Sequence, residues 1–127
     1  MIYVASPYSS PDPIVQNRRA HQVIDFCARG IRKGFVFLSP IAYAHNLACD
    51  HNLPKDANSW MAFNLALLRR SEAVYVVCLH GWMESQGVGI ELKVAQTLNI
   101  PVAHYEFKAG MFWLVDDHWK GHLEEKF

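Results

Sequence analysis

The residues best suited to chemistry lie in one stretch, Ser85-Gln86-Gly87-Val88-Gly89-Ile90-Glu91. Residues 73–79 before it form a short apolar, β-branched run, which is typical of a buried strand. Residues 91–98 after it have helical spacing and contain neither Gly nor Pro. Junctions of strand, turn and helix bind phosphates and sugars in α/β proteins, because the helix N-terminus offers free backbone amides. The stretch therefore predicts a ligand site.

Glu91 is the unusual member of this stretch. On a helix that continues from the turn, one stripe should face the sheet: Val88, Glu91, Leu92, Ala95 and Asn99. An ionisable group on that stripe suggests function, whereas a glutamate near a helix start also has a structural explanation in the helix dipole. With Ser85 as N-cap, the capping-box position is Val88, so Glu91 lies about one turn too deep for that role. Spacing alone leaves both interpretations open, including a solvated glutamate on a rotated helix.

Composition limits the class of protein. The 127 residues predict a single domain over 1–127, and 51% hydrophobic content excludes disorder. No apolar run approaches the roughly 20 residues of a membrane span. Lys plus Arg and Asp plus Glu are equal at 12 each, so the net charge offers no attraction for nucleic acid. Three cysteines without CxxC spacing, and a strand-like start in place of a signal peptide, predict free thiols in the cytoplasm.

The chain alternates between strand and helix patterns. Strands are predicted at residues 2–5, 35–38, 73–79 and 100–105, with 112–115 as a candidate fifth strand. Helices are predicted at residues 14–33, 40–47 and 59–70 and after the Ser85 turn, and the tail 118–127 is polar and weakly patterned. This alternation predicts a three-layer α/β/α fold with a flavodoxin-like or Rossmann-like parallel sheet of four to five strands.

The loops that follow parallel strands should meet at one edge of such a sheet, where ligands bind. These loops are residues 6–12, 39–42, 80–87 and the region after Tyr105. We therefore expect one pocket to bring together residues from separate parts of the chain: Tyr3, Ser6, Tyr8, Trp82, Ser85 and Glu91.

Three motifs together resemble the nucleoside 2-deoxyribosyltransferase-like superfamily, and most of all a subgroup of small bacterial and phage proteins. They are Tyr3-Val4-Ala5-Ser6-Pro7-Tyr8-Ser9, then Ser39-Pro40-Ile41-Ala42 with His45, then Gly81-Trp82-x-x-Ser85-x-Gly87-x-x-x-Glu91. The third motif also resembles the active-site turn of deoxynucleoside-monophosphate N-glycosidases. The resemblance runs from residue 1 to about residue 105.

This resemblance implies roles for individual residues. Glu91 matches the glutamate that attacks C1′ of the deoxyribose and forms a covalent intermediate, and Tyr3 matches the tyrosine that orients it. Ser85 matches a serine that binds the 5′-phosphate in members specific for monophosphates. The substrate would be a small nucleoside or nucleotide, with no cofactor. The expected binding residues are Ser6, Tyr8, Arg19 (or its neighbour Arg18), His45, Trp82, Ser85 and Gly87.

Asn64 departs from the family pattern. The family often places an aspartate there, on the helix before the third strand, to help protonate the leaving base. Asparagine can hydrogen-bond a base but cannot act as a general acid at neutral pH. Three consequences are possible: another residue (His45, Asp56 or Glu84) donates the proton, the reaction is slow, or catalysis is lost. The alternatives are therefore a non-catalytic nucleotide-binding or sensory protein, or a hydrolase of another ribosyl compound such as NAD.

Two further patterns have competing interpretations. His45, Cys49 and His51 have the donor types that bind zinc, but no fourth ligand is evident and no metal is predicted.

The helix predicted at 59–70 is apolar beyond one stripe, which indicates either core packing or a subunit interface. Since the family that the chain resembles is generally oligomeric, we expect a homodimer or a higher homo-oligomer.

Overall fold

The computed structural model describes residues 1–117 and 124–127. The strands are β1 (Ile2–Ala5), β2 (Phe37–Leu38), β3 (Ala73–Val77), β4 (Val102–Lys108) and β5 (Met111–Asp117). The helices are α1 (Pro13–Arg32), α2 (Pro40–His51), α3 (Ala57–Leu68) and α4 (Gln86–Thr97), with a short 3₁₀ turn at Trp82–Glu84. The sequence predicts a polar tail over residues 118–127, and residues 118–123 of this tail lie outside the described residues.

The strands form one five-stranded sheet in the order β2-β1-β3-β4-β5. β1 pairs in parallel with β2 and with β3, and β3 pairs in parallel with β4. The predicted three-layer α/β/α class is therefore confirmed, with a mostly parallel sheet. The order of β2, β1, β3 and β4 is that of flavodoxin-like folds.

The candidate strand at residues 112–115 is confirmed by β5, but its antiparallel direction corrects the predicted parallel sheet. The region after Tyr105 was expected to be a loop at the ligand edge, but β4 continues to Lys108 and β5 pairs with it in antiparallel fashion. Ala109 and Gly110 both have positive φ, at 52° and 77°. A two-residue turn of that kind joins antiparallel neighbours, whereas a parallel return needs a long crossover.

Several element boundaries differ from the predicted ones. α2 runs four residues further than predicted, to His51, and ends at Asn52 in the left-handed conformation. α3 begins at Ala57 because the Asp56 carboxylate caps it, and it ends at Leu68, earlier than predicted. β3 ends at Val77 and β2 covers only Phe37–Leu38, so both strands are shorter than predicted.

Each face of the sheet has its own core. One face packs against α1 through an aromatic cluster that includes Phe26, Tyr75, Tyr105 and Phe112. Phe127 also belongs to this cluster, at 2% exposure, so the end of the tail contributes to the core. The other face packs against α3 and α4 and is made of smaller residues together with Tyr3.

This strand order creates a crevice where the site should lie. Because β2 and β3 lie on opposite sides of β1, the loops after β1 and β3 diverge at the carboxyl edge of the sheet. Ligands of open α/β sheets bind at such a switch point. Within the described ranges, no helix is both long enough and apolar enough to cross a membrane.

Candidate functional site

A cavity of about 650 Å³ opens at the carboxyl ends of β1 and β3. This size is within the usual range for small-molecule sites. Its wall is formed by the loop after β1, by α2, by the segment before α3 and α3 itself, and by the start of α4. The residues that line it include Ser6, Tyr8, Arg19, His45, Lys55, Asp56, Asn64, His80, Gly81, Glu84, Ser85, Gly87 and Glu91.

Glu91 is buried in the cavity wall, at 5% exposure. It lies on the inward side of α4 together with Val88 and Ala95, so the solvated interpretation is wrong. The predicted sheet-facing stripe is confirmed except at Asn99, which is exposed and lies beyond the end of α4 in a left-handed conformation. Burial raises the pKa of Glu91 to about 7, and the neighbouring Tyr3 hydroxyl acts in the opposite direction. The cavity therefore contains a carboxyl that changes charge near neutral pH.

Tyr3 supports Glu91 from inside the protein. It is fully buried on the sheet face that α4 covers, and it does not line the cavity. Its hydroxyl makes no hydrogen bond of regular geometry within the described residues, yet it interacts with the Glu91 carboxyl. Burial, and then the charge of Glu91, raises the pKa of Tyr3, so its hydroxyl stays protonated. Tyr3 can therefore offer a proton to a carboxylate oxygen but cannot compete with Glu91 for negative charge.

The N-terminus of α4 opens into the cavity at Ser85 and Gly87. Ser85 is the N-cap, as the sequence predicted, and its Oγ accepts a hydrogen bond from the Val88 amide at 3.3 Å. Because Oγ accepts in that bond, its own proton remains available to a ligand. A Cβ at Gly87 would lie 3.8 Å from Glu91 Oε1 and 4.0 Å from Ser85 Oγ. Glycine thus leaves space beside both groups.

Tyr8 and His45 belong to a hydrogen-bonded chain that ends at Asn17. Tyr8 Oη lies 2.7 Å from His45 Nδ1, and His45 Nε2 lies 3.2 Å from Asn17 Oδ1. Because the Asn17 oxygen accepts, Nε2 carries the proton and Nδ1 accepts from Tyr8. Burial lowers the pKa of His45 and raises the pKa of Tyr8 to about 12. Tyr8 thus presents an oxygen acceptor to the cavity. No pattern in the sequence indicated that Asn17 would hydrogen-bond His45.

Arg19 holds two loops together. Its guanidinium donates to the backbone carbonyls of Tyr8, Ser9 and His80, at 3.4, 2.9 and 3.1 Å. A Cβ at Gly81 would come within 2.7 Å of Arg19 Nη2, and Gly81 has φ 86°, so only glycine suits this position. Arg19 lines the cavity as predicted, but most of its hydrogen bonds go to protein carbonyls.

Lys55 provides a second cation on the cavity wall. It was not identified from the sequence, because it lies in a loop without a recognisable pattern.

Two buried polar atoms on the cavity wall have no hydrogen-bond partner within the described residues. They are Ser6 Oγ and Asn64 Oδ1. A buried polar atom left unpaired typically costs about 1–3 kcal/mol, so both favour a ligand that completes their hydrogen bonds. Both positions were predicted from the sequence to face the substrate, and the structure brings them to the same cavity.

Two residues that were expected in the pocket do not line the cavity: Tyr3, which lies behind Glu91, and Trp82. Trp82 packs with the small-residue core on the α4 side of the sheet, and its ring lies 5.4 Å from the His104 ring. Its amide donates to the Leu79 carbonyl at 3.0 Å, in a turn that contains left-handed Gly81. This tight turn directs the ring towards the sheet.

The zinc ligands considered from the sequence do not form a cluster. Cys49 Sγ lies 3.9 Å from His45 Nε2, and His45 is already bonded to Tyr8 and Asn17. Over residues 1–117 and 124–127, no group of three or more His, Cys, Asp or Glu side chains is arranged to hold a metal ion.

The chain belongs to the family described as Domain of unknown function (DUF1937), whose pattern matches residues 1–107. That range includes β1 to α4 and nearly all of β4, and therefore every residue of the cavity wall. No curated protein matches the sequence.

The buried carboxyl predicts a pH-dependent stability. Folding raises the pKa of Glu91 from 4.5 to about 7, so the folded state binds the proton more tightly. The free energy of unfolding should then fall as pH rises through this window, by about 3 kcal/mol in total. Glu91→Gln removes the titration. Urea unfolding at pH 5, 6, 7 and 8 should show the variant gaining stability relative to wild type with each step up to pH 7.

Tyr3→Phe provides the second arm of this measurement. Removing the hydroxyl removes the interaction that lowers the Glu91 pKa, so the decline in stability should extend to higher pH. A stability difference between wild type and Glu91→Gln that stays constant from pH 5 to pH 8 would contradict the raised pKa.

Proposed function

We propose that this member of DUF1937 cleaves or transfers the N-glycosidic bond of a 2′-deoxynucleoside or its 5′-monophosphate, with Glu91 as nucleophile. The observation that carries the proposal is the buried Glu91 carboxyl, on the cavity wall and one turn inside a helix whose N-terminus opens into the same cavity. The resemblance of three motifs to deoxyribosyltransferase-like proteins supports the same reaction.

The chemistry follows from the charge at C1′. As the bond to the base breaks, the sugar acquires oxocarbenium character, and a nearby carboxylate stabilises or traps it. Glu91 must be ionised for this step, and its pKa of about 7 leaves a substantial ionised fraction at neutral pH. Tyr3 would hold the second carboxylate oxygen in place. Attack by water on the glycosyl ester gives hydrolysis, and attack by a second base gives transfer.

The start of α4 suits a 5′-phosphate. Ser85 has a hydroxyl proton to donate. Its Oγ and carbonyl accept from the Val88 and Gly89 amides, and the two helix amides before these have no intrahelical partner and favour an anion. Lys55 and Arg19 add positive charge on the cavity wall. The distance from Ser85 to Glu91 spans less than two helical turns, about 9 Å along the axis, which is comparable to the reach from a phosphate to C1′.

A second candidate function is nucleotide sensing without turnover. The observation that favours it is Asn64, whose carboxamide cannot protonate a leaving base but whose buried Oδ1 can accept a hydrogen bond from one. In that case the same cavity would bind a nucleotide and leave it intact.

We also infer that the protein is a homodimer. Only Leu68 of α3 is buried in the single chain, although the helix is largely apolar. Tyr43, Trp60 and Phe63 form the α2–α3 aromatic patch, in which the Tyr43 and Phe63 rings stack at 5.9 Å and both side chains are exposed. An apolar patch of this kind favours a protein partner. Trp60 also lines the cavity, so a second subunit here would adjoin the site.

The state of the three cysteines indicates which cellular compartment suits the protein. Cys27, Cys49 and Cys78 are all free thiols. Free thiols fit a reducing compartment, which supports the cytoplasm as the location.

Base release tests the proposed function. Purified protein is incubated with a panel of 2′-deoxynucleoside 5′-monophosphates, and free base is quantified by chromatography. Wild type should release base, with kcat/KM falling as pH decreases below about 7 because Glu91 becomes protonated. Glu91→Gln should lose activity by roughly 10³-fold or more. Saturable nucleotide binding without base release would instead establish the sensor.

Ser85 variants test the phosphate site with a matched control. Ser85→Asp and Ser85→Asn both retain a side chain that caps α4, but only the first adds a negative charge. We expect Ser85→Asp to lower kcat/KM for monophosphates relative to free nucleosides by about tenfold more than Ser85→Asn does, because the charges repel. Equal effects of the two substitutions would place the phosphate elsewhere.

Sedimentation velocity tests the homodimer. Wild type should sediment as a dimer at micromolar concentration, and Phe63→Asp should sediment as a monomer because it places a charge in the patch. Ile14→Asp makes the same change at an exposed apolar residue outside the patch and should stay dimeric. A monomeric wild type would refute the inference, as would a dimeric Phe63→Asp.

A further inference from the structure

Departure of a neutral base from a sugar requires a proton as well as a nucleophile. The departing nitrogen takes the electron pair of the broken bond, and an acid normally neutralises it. In the proposed reaction Glu91 must be ionised to attack C1′, so the same carboxyl cannot hold the proton for the base. The acid would have to be a second group on the cavity wall.

Asn64 occupies the wall of the cavity on α3 but has no acidic proton to give at neutral pH. Its Oδ1 is buried and has no partner within the part of the chain that the structure describes. An unpaired carbonyl oxygen accepts a hydrogen bond, for example from an amide or amino group of a ligand. Asn64 can therefore recognise a base, but it cannot protonate one.

Asp56 lines the cavity but is held as a carboxylate. Its Oδ1 accepts from Ser59 Oγ at 2.7 Å, and its Oδ2 accepts from the Ser59 amide at 3.1 Å. These hydrogen bonds to Ser59 lower the pKa of Asp56, as expected for an N-cap carboxylate. Asp56 therefore has no proton to donate at neutral pH.

The protons of Tyr8 and His45 are also in use. Tyr8 donates its proton to His45 Nδ1, and His45 donates the Nε2 proton to Asn17. Burial keeps His45 neutral by lowering its pKa. Apart from Arg19, three titratable groups remain on the wall among the described residues: Lys55 is half-buried, and His80 and Glu84 are exposed to solvent. None of them is a carboxyl or imidazole group buried beside Glu91.

We propose that the leaving base already carries a positive charge, so that the substrate is a pyridinium or N7-alkylpurinium N-glycoside. This inference rests on the proposed function and narrows its substrate class. The C1′–N bond breaks and its electron pair returns to the cationic ring, which leaves as a neutral molecule without a proton. A Glu91 oxygen forms the bond to C1′. Water then displaces the carboxylate, and the overall reaction releases sugar, neutral base and one H⁺.

A cationic base also favours the ionised nucleophile. A positive ring beside the Glu91 carboxyl stabilises its negative form, whereas a neutral ring adds to its burial. Binding of the substrate would therefore convert Glu91 from a partly protonated group into a carboxylate.

The test compares 2′-deoxyguanosine 5′-monophosphate with its N7-methyl derivative, which differs by one methyl group and one charge. The 2′-deoxy analogue of nicotinamide mononucleotide, which has the sugar of the proposed substrate, serves as a second cationic probe. Base release is measured from pH 5 to 9 with the uncatalysed rate subtracted. We expect wild type to cleave the cationic probes with kcat/KM roughly 10²-fold or more above the neutral one, the contribution of an absent general acid. With the nicotinamide probe, whose ring has no proton to lose in this range, the pH profile should have one acid limb and no basic limb.

Asn64→Asp supplies the missing carboxyl and provides the internal check. It should reduce the preference for the cationic guanine nucleotide by about tenfold or more, and it should add a basic limb for the neutral nucleotide. Asn46→Asp makes the same change at an exposed residue outside the cavity and should keep the wild-type preference.

The outcomes separate this inference from the proposed function. Cleavage of the neutral nucleotide within tenfold of its N7-methyl derivative would overturn the inference and leave the proposed function intact. Cleavage of the cationic probes that survives Glu91→Gln would overturn the nucleophile, and no cleavage of any probe would overturn both. The inference would be established by a strong preference for the cationic probes that requires Glu91. Asn64→Asp should reduce that preference and Asn46→Asp should not.

Discussion

Glu91 lies on the inward side of α4 with Val88 and Ala95, and that position takes its carboxyl out of water. Ionisation is then disfavoured, which raises its pKa to about 7 and costs the folded protein stability above neutral pH. Three neighbouring residues shape the surroundings of this carboxyl. Tyr3 lies behind the carboxyl, Ser85 caps the helix, and Gly87 keeps the space beside both groups open. A carboxyl in this environment suits chemistry at a developing positive charge better than it suits structure.

The loops around Glu91 are fixed by ordinary hydrogen bonds to the backbone and between side chains. Arg19 joins the loops after β1 and β3 through three carbonyls, and the Tyr8–His45–Asn17 chain ties the first loop to α2 and α1. The sequence suggested Arg19, Tyr8 and His45 as substrate-binding residues, but in the structure they donate hydrogen bonds to other protein groups. The cavity is left with one buried carboxyl, a carboxamide and a hydroxyl without partners among the described residues.

The sequence predicted those parts of the site that depend on local spacing. Ser85 and Glu91 belong to one strand-turn-helix stretch, so the helical period determines both the cap and the inward direction of the carboxyl. It could not predict long-range pairs such as Tyr8 with His45, nor Lys55 in a loop without periodicity. Trp82 was misplaced because the Gly81 turn reverses the chain locally. The antiparallel β5 and the buried Phe127 depend on a two-residue turn and on tertiary packing that hydropathy does not reveal.

Trapping the glycosyl-enzyme tests the role of Glu91 most directly. A 2′-deoxy-2′-fluoroarabinosyl nicotinamide 5′-monophosphate has a cationic leaving base and an electron-withdrawing fluorine that slows both formation and breakdown of the intermediate. After incubation and proteolysis, mass spectrometry should find the fluorosugar phosphate esterified to Glu91, with one equivalent of base released per site. An adduct on another residue, or continued base release without any adduct, would contradict nucleophilic attack by Glu91.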